Sequence, residues 1–148
     1  MAGLSDTMET NVLNYLFKQT ALPTPPATLF ISLHSADPGD TGASELAATN
    51  GYARAQLNPD ANSSTNTNWN AVTGSPAEMT NKLAITFPQA SGGSWNSGSS
   101  IGYWSLWSAS SAGTLFCSGT ITGGVVVLAG NTLQVTGGTP GTFKFTIE

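Results

Sequence analysis

The chain has 148 residues, a formal net charge of −4 and only 8% charged residues, against about 25% in ordinary globular proteins. Its four cations, Lys18, Arg54, Lys82 and Lys144, are scattered, whereas holding a phosphate backbone takes clustered Lys and Arg, so no nucleic acid is expected as a direct partner. No run approaches the ~20 apolar residues of a membrane-crossing helix, no basic segment and apolar stretch near Met1 read as a secretory leader, and the single cysteine, Cys117, allows no intrachain disulfide.

This length fits one domain over 1–148, with a helix and Pro-rich linker in 1–27 and strands from 28 onward. Leu4–Lys18 reads as the helix. Ser5 or Asp6 can cap it, and Asp6 with Glu9 has a box-like spacing. Met8, Val12, Tyr15, Leu16 and Phe17 recur at helical spacing as an apolar stripe, which should dock on the body of the chain or on a neighbour. Pro23, Pro25 and Pro26 then end any helix and impose an extended linker.

From Thr28 the pattern is strands and loops. Leu29, Ile31 and Leu33 alternate with Phe30, Ser32 and His34, the period of a strand. Asp37–Gly42 is a dense turn signal, followed by a short strand over Gly51–Leu57. Asn58–Asn70 reads as a long polar loop with Trp69 anchoring its far end. Leu83–Phe87 is a strand that Pro88 stops or places at an edge. Gln89–Ser100 is a Gly/Ser loop broken by Trp95. Ile101–Ser108 and Thr114–Thr122 form a hairpin across the small-residue turn Ala109–Gly113. Val125–Leu128, Thr132–Thr136 and Thr142–Ile147 complete the strands. The expectation is all-β, an antiparallel β-sandwich or jelly roll of about eight strands with one N-terminal helix. Without alternating strands and long helices, a parallel α/β fold is disfavoured.

The chemistry-bearing residues are few. Asp37, Asp40 and Glu45 could gather around a hard cation, but Asp in a Pro-Gly turn ordinarily bonds nearby backbone amides. Arg54 is expected to pair with Glu45 or Asp40, because its fork matches a carboxylate. His34 shares a strand face with Ser32, yet no Gly-x-Ser-x-Gly elbow presents that serine; a hydrogen-bonded structural histidine is the preferred reading. Cys117 with His34 falls short of a zinc ligand set, and Cys117 reads as a small buried hydrophobe. Tyr103, Ser105 and Trp107 should share one face of their strand and Trp104 and Leu106 the other. With Trp95 these aromatics read as core or subunit-interface packing, and otherwise as a glycan platform. The Gly-rich stretch around Gly92 precedes no helix and does not cradle a phosphate. No catalytic, cofactor-binding or metal-ligating residue is assigned.

Two segments carry a family resemblance. LFISLHSADPGDTGASELAATNGYARAQL (Leu29–Leu57) and IGYWSLWSASSAGTLFCSGTIT (Ile101–Thr122) resemble the corresponding segments of small tailed-bacteriophage virion proteins known as head decoration, head fibre or tail fibre proteins. The strand and turn order to the C-terminus is similar too. The resemblance implies a structural protein, not an enzyme, made in the host cytoplasm and carried on the virion. It implies a homotrimer over local three-folds of the capsid surface, cementing the shell by binding the major capsid protein. The low charge content and the 65 Ser, Thr, Asn and Gly residues suit a surface packed against neighbours. The alternative is a tail fibre or baseplate-associated protein that binds host glycans. The interface candidates are Met8, Val12 and Leu16 on the helix, Asp37, Asp40, Glu45 and Arg54 around the loop, and Tyr103, Trp104 and Trp107 on the aromatic strand.

Overall fold

The computed structural model describes residues 3–61, 65–138 and 142–147. Its centre is a five-stranded antiparallel sheet in the order β1-β7-β6-β2-β3. These strands are β1 (Gly3–Leu4), β2 (Leu29–His34), β3 (Ala55–Leu57), β6 (Ile101–Trp107) and β7 (Leu115–Val125). Two antiparallel ribbons complete the strands. One pairs β4 (Ala77–Thr80) with β9 (Lys144–Ile147), the other β5 (Ile85–Gln89) with β8 (Thr132–Val135). The all-β sandwich architecture with one N-terminal helix agrees with the sequence pattern.

Alternation along β2 fixes which residues go where. Ile31 and Leu33 register with Leu106 and Trp104, while Phe30, Ser32 and His34 register with Trp107, Ser105 and Tyr103. The odd-numbered set of β2 faces the hydrophobic core, where Ile31, Leu33, Ala55, Leu57, Trp104 and Cys117 meet Ile85 and Phe87 of the β5 ribbon and Phe143 beside β9. Ring contacts close this layer, with Trp104 at 4.8 Å from Phe143 and Phe87 at 6.2 Å from Trp95, both edge-on, a preferred aromatic geometry. Gly119 is required here, since a Cβ at that position would sit 2.6 Å from the Trp104 ring.

Several elements differ from the sequence expectation. The helix α1 spans Asp6–Lys18 and not Leu4–Lys18. Leu4 is drawn into the sheet opposite Cys117, and the Ser5 N–H donates to Phe116 O at 2.9 Å. Only Ala55–Leu57 of the expected Gly51–Leu57 strand is extended. Asn50 and Gly51 have φ of 53° and 78°, and Tyr52 N–H closes back on Thr49 O at 3.0 Å, a tight turn needing two positive φ values. Val126–Leu128 is not a strand, and Val127 alone of the three is buried, its carbonyl accepting from Trp95 N–H. The strand β4, AEMT, carries no clear alternation and is made by its pairing with the distant β9.

Candidate functional site

The second face of the sheet, opposite the core, carries the polar residues. Ser32, His34 and Ser105 on β2 and β6 are each 0% exposed. His34 Nδ1 lies 2.7 Å from Ala43 O. A carbonyl can only accept, so Nδ1 carries the proton and Nε2 is the acceptor. Ser32 Oγ and Ser105 Oγ lie 2.7 and 2.6 Å from that Nε2 and 2.8 Å from each other. The Trp107 indole N–H donates to both hydroxyl oxygens, at 2.8 and 2.9 Å. One hydroxyl proton therefore goes to Nε2 and the other to a neighbouring oxygen, and among the described residues no buried side-chain polar atom lacks a partner. Burial is the largest influence on His34 and lowers its pKa; the Ala43 carbonyl and Glu45 pull upward, Arg54 pulls downward, and the net is a value below the ordinary 6.5.

A loop seals this face. Gly42, at φ 71°, lies against the Trp107 ring so closely that a Cβ would overlap it. Arg54 crosses the same ring with its guanidinium carbon 4.1 Å from the centroid. It donates from Nε and Nη2 to the two Glu45 oxygens at 2.8 and 2.7 Å, and from Nη1 to Ala109 O and Ala112 O, both at 2.9 Å. Glu45 is thus the carboxylate that Arg54 holds. The Tyr52 hydroxyl accepts the Leu33 N–H at 2.8 Å and donates to Glu45 at 3.4 Å, and burial raises its pKa.

The serine–histidine pair has the spacing of a nucleophile and its base. Its surroundings give no route for a substrate, since all three polar residues are fully enclosed by the loop, Trp107 and Arg54. Asp37 does not join them. Its carboxylate turns outward and accepts the Gly39 N–H at 3.0 Å. Asp37 and Asp40 instead line a surface cavity of about 330 Å³ with Asp6 and Glu9. Among the described residues no three His, Cys, Asp or Glu side chains are placed to hold a metal ion. Cys117 is buried in the core, which pushes its thiol up to about 12.

Of the aromatic candidates, Trp95, Trp104 and Trp107 are all buried within the chain and Tyr103 is half-buried. Exposed rings are what a glycan platform requires, and these three indoles do not supply one. Ser105 as a partner of His34, and Trp107 as the donor to both serines, were not legible, because their approach depends on which strands pair, not on spacing along either strand.

The helix is the opposite case. None of its residues is buried. Met8 and Val12 are half-buried, while Leu13, Tyr15, Leu16 and Phe17 are exposed, Phe17 to 79%. Ser5 caps it, accepting the Met8 N–H at 3.4 Å while donating to Leu115 O at 2.7 Å. Residues 15 through 25 are exposed without interruption. No described helix is long and apolar enough to cross a membrane.

A β-sandwich whose polar seam is sealed inside, and whose N-terminal helix leaves Leu13, Leu16 and Phe17 exposed, has the features of a structural building block of a larger particle. The particle is a phage virion: the chain belongs to the family described as podophage GP4 fiber I protein gp80, whose model matches residues 3–140. No curated protein matches the chain.

Proposed function

We propose that this chain is a non-enzymatic fibre component of a phage virion, assembled as a homotrimer through the arm formed by α1 and its Pro-rich linker. The observation that carries the reading is the exposed apolar face of α1, Leu13, Leu16 and Phe17. A helix of 13 residues is marginal in water on its own, and helices in proteins draw most of their stability from burying an apolar face. Leu13, Leu16 and Phe17 have no such cover among the described residues. Three copies of α1 gathered about an axis would bury these residues in a closed, symmetric contact. The family model, a fibre family, favours this over a cement protein gripping the major capsid protein on the capsid surface.

Two measurements test it. Sedimentation of the wild-type chain is expected to give a trimer, and Leu16→Glu a folded monomer with an unchanged β-sheet spectrum; a wild-type monomer at virion-like concentration would overturn the assembly. Electron cryomicroscopy of intact particles is expected to place the protein in fibres at the neck or tail. Density spread over the three-folds of the capsid shell would replace the fibre reading with the cement one.

A further inference from the structure

We propose that the N-terminal arm is exchanged between copies, β1 and α1 of one chain seating on β7 of the next, so that three chains close into a ring. This inference deepens the trimer reading above and rests on it.

The first observation is a seat shaped for this arm. The Ser5 N–H donates to Phe116 O at 2.9 Å and its hydroxyl to Leu115 O at 2.7 Å, and Ser5 is 3% exposed. Leu4 registers with Cys117 and packs on the core. Met8 and Val12 are half-buried on the helix that follows. Backbone pairing at a sheet edge supplies affinity, and the side chains beside it supply specificity. The seat therefore recognises residues 3–12 of this sequence, whichever copy presents them.

The second is the tether. Gln19 leaves α1 in the left-handed region, at φ 54°, and Thr20 N–H donates back to Asn14 O at 3.3 Å. Among the described residues, 21–28 form no hydrogen bond with the body, and residues 21–25 are exposed. No specific contact along the tether dictates that an arm return to its own body. Pro23, Pro25 and Pro26 hold it extended. At ~3.1 Å per residue, 19–28 spans about 30 Å, and α1 adds about 20 Å at ~1.5 Å per residue. A folded body of this size is roughly 35 Å across, so the arm reaches the β7 of a neighbour.

The third is that α1 has two distinct sides. It lies beside β1 and β7 with Met8 and Val12 half-buried, while Leu13, Leu16 and Phe17 are exposed. When the exposed side meets other helices about an axis, each arm already stands next to a neighbour's seat. Exchange reuses the contacts that the structure shows within one chain, so none is lost. Each chain is then held to the next at two places, which strengthens the ring without any new kind of contact.

The test is Leu4→Cys, with the native Cys117 as its partner. Ser5 and Phe116 are hydrogen-bonded, so positions 4 and 117 form the adjoining non-hydrogen-bonded pair, with Cα atoms about 4.5 Å apart, within disulfide reach. The full-length variant is assembled, its trimer fraction isolated by sedimentation and oxidised in glutathione buffer, and the product run on a denaturing gel without reductant. Exchange is expected to give covalent trimers as the main product, with wild type running as single chains. Single chains carrying an internal disulfide, recovered from a trimer fraction, would overturn exchange and leave the trimer standing. Lack of a wild-type trimer fraction would overturn both. Because Leu4 packs on the core, a second variant guards against misfolding: Gly3→Cys with Ser118→Cys in a chain carrying Cys117→Ala. Gly3 and Ser118 are also register partners, and a Cβ at Gly3 meets nothing within 4 Å. Failure of both variants to form any disulfide would overturn the seat itself.

Discussion

Arg54 makes four hydrogen bonds from one guanidinium and covers Trp107 as well. Its side chain is 6% exposed and that of Glu45 25%. Removing one partner of a buried pair strands the other, at a cost of about 3–5 kcal/mol. Arg54→Ala is expected to fall near the lower end, since Glu45 retains some water, and urea denaturation measures it. Arg54→Lys should recover less than half, because an ammonium cannot span two carboxylate oxygens and two carbonyls in one plane. His34 gives a pH signature. Its folded pKa lies below the unfolded 6.5, so below that pH the unfolded chain binds a proton that the folded chain does not. The contribution is complete above 6.5 and is lost as pH falls from there toward the folded value. The slope is at most about 1.4 kcal/mol per pH unit, and His34→Gln should remove it. Asp60 acts in a separate, more acidic window. Partial desolvation raises its pKa, but its three backbone donors outweigh this and hold the carboxyl below the ordinary 3.8. Unfolding midpoints at pH 7, 6 and 5 in wild type and His34→Gln would show whether the first window belongs to His34. At this scale the sequence pointed to a carboxylate partner for Arg54, Glu45 or Asp40, of which the structure shows Glu45, and to the shared face of Ser32 and His34. The donor that completes the network, Trp107, lies 75 residues from Ser32, and no local pattern points to it.

Among elements, those with strong local signals are where the sequence places them. The clean alternation in Leu29–His34 and the aromatic run of Ile101–Trp107 form adjacent strands, and the Ala109–Gly113 turn joins β6 to β7. Elements made by partners were harder to read. Ala77–Thr80 becomes a strand only because residues 144–147 lie beside it, whereas of the expected strand Val125–Leu128 only Val125 is paired, at the end of β7 opposite Ile101. Part of the expected Asn58–Asn70 loop, residues 62–64, lies outside the described residues; the rest is closed by Asp60 and Trp69, as the position of Trp69 suggested. The start of α1 is set by Ser5, whose hydroxyl serves the helix and the Leu115 carbonyl together. Ser5→Ala is expected to cost about 1–2 kcal/mol, the loss of a cap together with an unpaired buried carbonyl. Circular dichroism should show the helix signal falling before the sheet signal on heating.

For the whole molecule, the core is distributed over a sheet and two ribbons, tied by aromatic residues distant in sequence. Trp104 touches both Phe143 and Phe145. Trp104→Ala should cost about 3–5 kcal/mol and loosen the β4–β9 ribbon, seen as faster amide exchange there than in β2. Such long-range pairing predicts refolding in milliseconds to seconds rather than microseconds, measurable by stopped-flow fluorescence.

The helix and linker are pinned at both ends to one sheet, through β1 on its edge and β2 within it. A pull on α1 is therefore divided between two anchors of unequal strength. β1 pairs over two residues with one neighbour, whereas β2 is clamped between β3 and β6. Under tension the edge anchor should peel first, paying out the arm while β2 resists in shear. The body would then stay folded under a load that has already lengthened its attachment, giving the joint the behaviour of a shock absorber.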